Sequence, residues 1–191
     1  MSDIINSMLF TGKGDGGSTS TFGCCNQRIS KSSKIAEALG VLDECNSFLG
    51  LCKVESEKQG FEIGGQSFVK IVHVTQENLF TIQAELAGAD KSLSEEKLRE
   101  AEEIIHTIEK ELPPIKTFFI SGGTELASQF DFARTLSRRA ERRVVEVVES
   151  KDQEVGKWTL SYLNRLSSLL YALARLSNHF SGIVGESPSY K

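Results

Sequence analysis

A chain of 191 residues, 39% hydrophobic and 25% charged, is long enough to bury a core and reads as one ordinary globular domain. Its formal net charge of -4 argues against general nucleic-acid binding, and the lack of any run of about 18 apolar residues argues against a membrane span. The first ten residues, MSDIINSMLF, hold no basic stretch followed by a long apolar run, so the expected compartment is the cytoplasm.

The first feature along the chain is TGKGDGGSTS, residues 11–20, with four glycines, a lysine and four hydroxyl side chains. It is not a P-loop, because Lys13 precedes Gly14 instead of following the last glycine. A dinucleotide fingerprint needs a buried strand before it, and only Met8, Leu9 and Phe10 are available. Glycines let backbone N–H groups approach an anion closely, and Ser18, Thr19 and Ser20 add donors, so phosphate binding is one reading. A floppy glycine- and serine-rich terminus is the other.

Helical periodicity then dominates. Residues 30–53 carry Ile35, Ala38, Leu42, Cys45, Leu49 and Cys52 on one face, so these two cysteines read as small core residues. Cys24 and Cys25 are adjacent and no CxxC pair occurs, so no redox or metal role is expected of the four cysteines. Residues 67–88 put Phe68, Ile71, Val72, Thr75, Leu79, Ile82 and Leu86 on one stripe. Ser94 caps a third helix to about residue 112, through Leu98, Ala101, Ile105 and Ile108. A fourth is expected over 125–150 and a fifth over 154–180; Pro113, Pro114 and Pro188 all fall at boundaries. The prediction is an all-α, five-helix up-and-down bundle in a single domain, with an N-terminal loop over 1–29, the bundle over 30–182 and a flexible tail over 183–191.

The fourth helix contains ARTLSRRAERR, five arginines within ten residues. At about 100° per residue, Arg134, Arg138, Glu141 and Arg142 share one arc. Phe130, Ala133, Leu136, Ala140, Val144 and Val148 occupy the neighbouring arc, toward the core. Such a focus of charge in an acidic protein suits a polyphosphate, because the guanidinium fork binds oxygens in pairs. A solvated face laced by i,i+4 pairs is the plainer reading. On the fifth helix Leu163, Leu166, Leu170 and Leu173 form a core seam, and Asn164, Ser168, Tyr171 and Arg175 an outer stripe. Asp43, beside Glu44 on the first helix, either holds an arginine or is simply exposed.

Taken together and in order, FTGKGDGGSTSTFG…RISK, EALGVLDECNSFLG, SGGTELASQFDFARTLSRRAERRVVEV and LSYLNRLSSLLYALAR resemble the PduO-type ATP:cob(I)alamin adenosyltransferases over nearly the whole chain. The resemblance implies a homotrimer with sites at subunit interfaces. It implies transfer of the 5′-deoxyadenosyl group of ATP to the cobalt of reduced cobalamin, with triphosphate released and Mg²⁺ as cofactor. By motif position, Thr11, Gly12, Lys13, Gly14, Thr19, Ser20, Lys31, Arg138, Arg139, Glu141, Arg142 and Asn164 would contact ATP. Arg138, Arg134 and Asp43 would act in catalysis, with Asp43 paired to Arg134; Phe118, Asp43 and Tyr171 would meet cobalamin, Phe118 at the lower face of the cobalt. No residue is assigned as a metal ligand. A reductase and an adenosylcobalamin-dependent enzyme are the implied protein partners.

The chain departs from the family pattern at Gly12 and Lys13, where a basic residue and then Thr are usual. It also departs at two extra residues around Cys24 and Cys25, at Ser121 where the turn usually has Pro, and at Tyr171 where Phe is common. Two rivals are a ferritin-like di-metal bundle, hinted at by Glu103 and His106, and a non-catalytic cobalamin carrier or helical interaction protein.

Overall fold

The computed structural model describes residues 9–22 and 28–190. Five helices make up the body: α1 Lys34–Gln59, α2 Phe68–Leu86, α3 Glu95–Glu111, α4 Glu125–Glu149 and α5 Thr159–Phe180. Two short antiparallel ribbons accompany them, β1 Ser18–Ser20 with β2 Arg28–Ser30, and β3 Glu62–Ile63 with β4 Gln66–Ser67. The predicted all-α five-helix bundle is the observed fold.

Helix starts follow local chemistry. Ser33, Ser67, Ser94 and Thr124 each accept a hydrogen bond from the backbone N–H three residues on, satisfying a donor that the helix cannot. The fifth helix is the exception: Trp158 stands at its N-cap and makes no side-chain cap. Its start is held from α2 instead, by the buried Glu85 carboxylate, which accepts from Gly156 N at 2.6 Å and from Thr159 Oγ1. This is why the fifth helix starts at Thr159 and not near residue 154, as the sequence pattern suggested. A carboxylate at that end is also favoured by the helix dipole.

Packing sets the order of the helices. α4 lies between α1 and α5, α2 flanks α1, and α3 flanks α5. The pairs Glu37–Arg143, Glu44–Arg139 and Phe48–Phe132 run in opposite sequence directions, so α1 and α4 are antiparallel. Leu42, Leu49, Leu79, Phe130, Leu163 and Leu166 are all within 1% of complete burial, each worth about 2 kcal/mol of apolar transfer. On α4 the buried position of the last turns is Val147, and Val148 is only half-buried, a one-residue shift from the predicted arc. Cys45 and Cys52 are buried and free, and burial pushes both thiols up to about 12. None of the helices among the described residues is long and apolar enough to cross a membrane.

Candidate functional site

The arginines of α4 divide into two kinds. Arg139 pairs with Glu44 of α1, and Arg143 pairs with Glu37 of α1 and Glu146 one turn on. These two bind α4 to its neighbour. Arg138 and Arg142 are exposed, and among the described residues neither guanidinium meets a carboxylate; Arg142 Nη1 donates only to the Arg138 carbonyl at 3.1 Å. The fork of Arg138 is therefore uncommitted and aimed outward, at the centre of the arc.

Arg134 is half-buried and its Nε donates to Asp131 Oδ1, one turn back, at 3.3 Å. The sequence reading paired it with Asp43. Within this chain Arg134 takes Asp131 instead, and Asp43 is exposed on the outer side of α1. Asp43 borders an open, mainly apolar groove of about 790 Å³, lined by Phe22, Leu39, Phe80 and Ala84 among others. Phe22 and Phe80 are large exposed apolar side chains on that rim.

Asn164 of α5 is held by a polar chain that crosses three helices. Its Nδ2 donates to Glu141 Oε1 of α4 at 3.0 Å, and its Oδ1 accepts from Arg165 Nη1 at 2.8 Å. Arg165 Nε in turn donates to Glu102 Oε1 of α3 at 2.9 Å. Arg165 was not singled out from the sequence; its place next to Asn164 gave no signal, because the bond depends on both side chains turning the same way.

The glycine-rich loop is partly a ribbon. The sequence supplied no strand for it, yet Thr19 faces Ile29 across β1 and β2. Arg28 ties the ribbon together, donating from Nε to Ser18 Oγ at 2.8 Å, from Nη2 to Ser18 O at 2.6 Å and from Nη1 to Ser20 Oγ at 3.2 Å. The ribbon closes where Lys31 N donates to Gly17 O at 2.9 Å, with Gly17 at φ +76°, a conformation that favours glycine. Lys31 folds back over Gly14, where a Cβ would lie 3.2 Å from Nζ. Thr11, Gly12, Lys13 and Ser20 are exposed, and Thr19 is half-buried. Cys24 and Cys25 lie outside the described residues.

Phe118 stands 76% exposed on the segment between α3 and α4, while its neighbour Phe119 turns inward beneath the Arg175 guanidinium, 5.6 Å from the ring centre. Tyr171 is half-buried on α5. The ferritin-like hint does not assemble: His106 pairs with Glu109, and among the described residues no three His, Cys, Asp or Glu side chains cluster. A second cleft, of about 450 Å³, opens between α2 and α3 over the buried Tyr162, and it holds none of the expected site residues.

Residues 9–177 match the cobalamin adenosyltransferase family. The chain is 39% identical over 180 residues to the corrinoid adenosyltransferase of Bacillus subtilis (strain 168), covering 92% of this chain and 89% of that protein. It is 37% identical over 178 residues to the corrinoid adenosyltransferase PduO of Citrobacter freundii, covering 90% of this chain and 50% of that one, so it spans half the length of that relative. A variant PduO-type ATP:corrinoid adenosyltransferase from Lactobacillus reuteri, solved in complex with cobalamin and ATP, superposes with a TM-score of 0.83 at 28% identity. That superposition covers 95% of this chain and 97% of the other. A family match over residues 9–177 and a relative 39% identical over 89% of its length place the chain in the cobalamin adenosyltransferase family.

Proposed function

We propose that this chain transfers the 5′-deoxyadenosyl group of ATP to the cobalt of reduced cobalamin, forming adenosylcobalamin and triphosphate. The observation that carries the reading is the Arg138 and Arg142 pair, exposed on α4 beside the Asn164–Glu141 bond and, among the described residues, meeting no carboxylate, while the flanking arginines are engaged. Cobalt(I) supplies the electron pair that forms the Co–C5′ bond, and the C5′–O bond breaks with its pair left on triphosphate. The protein's task is to align C5′ and to meet charge growing on the leaving oxygens. Arg138 does this with a fork suited to two oxygens at once.

Thr11, Gly12, Lys13, Gly14, Thr19, Ser20 and Lys31 hold the nucleotide from the loop side, and Glu141, Arg142 and Asn164 from the helix side, joined by Arg139 if it exchanges Glu44 for phosphate. Mg²⁺ arrives on the triphosphate: this ion keeps most of its waters and takes few protein ligands, which fits a donor set rich in arginine and amide and poor in clustered carboxylates. Phe118, exposed and apolar, stands in for the axial base below the cobalt, and Tyr171 borders the ring. Removing that electron-donating ligand makes cobalt(II) easier to reduce.

The working unit is a homotrimer. The described residues of the ribbon, 11–22 and 28–31, are joined by local bonds, and an apolar groove flanked by Phe22, Phe80 and Asp43 is open. A neighbouring subunit covering that groove would bring Asp43 to the partner's arginine arc, which is where the Asp43–Arg134 pairing belongs. A reductase supplies the low-valent cobalt, and an adenosylcobalamin-dependent enzyme takes the product.

Anaerobic incubation of the protein with ATP, Mg²⁺ and chemically reduced cobalamin, followed optically, tests the reading. The expected result is ATP-dependent conversion to the adenosylcobalamin spectrum with one triphosphate released per cobalt. Binding of cobalamin with no ATP-dependent change would instead favour a non-catalytic carrier.

A further inference from the structure

The segment between α3 and α4 is anchored along its length by the end of α5 and the residues after it. Arg175 Nη2 donates to Pro113 O at 2.8 Å. Phe119 packs against Gly185, where a Cβ would lie 2.7 Å from the ring. Ile120 N donates to Glu186 O at 2.8 Å. The last anchor is the amide of Asn178, which donates from Nδ2 to Gly122 O at 2.8 Å and accepts at Oδ1 from Thr124 N at 2.9 Å.

That amide bridges the two sides of Gly123, which sits at φ +102° and whose missing Cβ would come within 2.7 Å of Asn178 Cγ. Glycine is required there twice over, by its backbone conformation and by the close approach of Asn178. The same turn lacks the proline expected before its two glycines, since Ser121 occupies that place. A proline would stiffen the turn from within; here the stiffness comes from α5. Because Phe119 is pinned inward and Gly122 is pinned to α5, Phe118 is left pointing outward.

We propose that Asn178 is a positioning residue for Phe118, its side-chain amide fixing the Gly122–Thr124 turn so that Phe118 stands at the height needed to exclude the axial base. The inference rests on the reading of Phe118 as the lower-face residue. It adds a residue just beyond the 9–177 stretch that matches the family.

Full-length wild type, Phe118→Ala, Asn178→Ala and Asn178→Asp, each loaded with ATP and cobalt(II) cobalamin, provide the test. Nitrogen splitting in the electron paramagnetic resonance spectrum of the cobalt reports whether the axial base is attached. In wild type a base-free population is expected, and Phe118→Ala abolishes it. Asn178→Ala should shift most of that population back to the base-attached form, with the KM for ATP nearly unchanged. Asn178→Asp keeps an acceptor for Thr124 N, favoured at a helix start, but turns a second oxygen toward Gly122 O. It should melt close to wild type yet match Asn178→Ala in the spectrum, so it decides the matter if Asn178→Ala does not fold. A wild-type base-free population in Asn178→Asp, alongside its loss in Phe118→Ala, would overturn the positioning role alone. A Phe118→Ala spectrum like wild type would overturn the lower-face reading and the positioning role with it.

Discussion

Two glycine-bearing segments carry expected site residues, and the fold holds them in opposite ways. In the first, the described residues 11–22 and 28–31 show bonds within the segment, from Arg28 to Ser18 and Ser20 and from Lys31 N to Gly17 O. Residues 113–124 are tied to positions more than 50 residues away, through Arg175, Asn178 and Glu186. The second segment is therefore held by α5 and the residues after it. The first has a local shape set by its own ribbon bonds, and the proposed trimer would add a neighbouring subunit to it.

The sharpest way to break this comparison is at Arg138, on the surface that the loop is proposed to meet. Replacing Arg138 with Lys keeps the charge and loses the fork. The expected fall in kcat is about two orders of magnitude, about 3 kcal/mol, as for removal of one donor to a developing anion. The KM for ATP should change less, because the loop amides, Lys13 and Lys31 remain. Near-normal kcat in steady-state kinetics would make the arc a solvated face.

Glycine substitutions probe the two segments directly. Gly123→Ala meets both a left-handed φ and the Asn178 amide, and should cost about 1–3 kcal/mol in chemical denaturation. Gly16, by contrast, has nothing within 4 Å of an added Cβ and no left-handed φ, so Gly16→Ala should stay within about 0.5 kcal/mol of wild type. Equal losses at both positions would erase the distinction.

Asp43→Asn addresses the groove between the two. Asp43 is exposed and makes no pair with Arg134 inside the chain, so the melting temperature should hold. Turnover should fall about tenfold if the aspartate orients a partner subunit's arginine in the transition state. An unchanged rate with a lowered melting point would make its role structural.

A last test, silent at neutral pH, concerns the scaffold under both segments. Burial pushes the Cys45 and Cys52 thiols and the Tyr162 hydroxyl up to about 12. Between about pH 9 and 12 the unfolded chain has released those protons while the folded one retains them. Stability is thus fully present below about pH 9 and declines as pH rises toward 12. Denaturation midpoints should show that decline, and Cys45→Ala with Cys52→Ala should reduce it to the part due to Tyr162.

The periodicity of apolar residues made the five helices legible, because each buries one stripe and four of the five carry a Ser or Thr cap in the sequence. The start of α5 was not legible, since its cap is Glu85, some 70 residues earlier in the chain. Within the chain the i,i+3 spacing alone pairs Arg134 with Asp131. The ribbon of β1 and β2 is too short for alternation to register, and its bonds run through the side chain of Arg28. Asn178 left no trace either: an asparagine in the last turn of a helix looks solvated until the fold brings Gly123 against it. Local rules thus reached the scaffold and the arginine arc, and contacts across long sequence separations set the start of α5, the Asn164 network and the turn before α4.

The central claim is that the site is shared, with the loop of one subunit meeting the arginine helix of the next. It is tested most directly by mixing two inactive full-length variants, Lys13→Ala and Arg138→Ala, under conditions that let subunits exchange, and measuring adenosylcobalamin formed from ATP and reduced cobalamin. In a randomly mixed trimer about a quarter of the interfaces join an intact loop to an intact arginine helix, so recovery of about a quarter of wild-type activity is predicted. Mixtures no more active than either variant alone, with exchange confirmed, would contradict the account and return the whole site to a single chain.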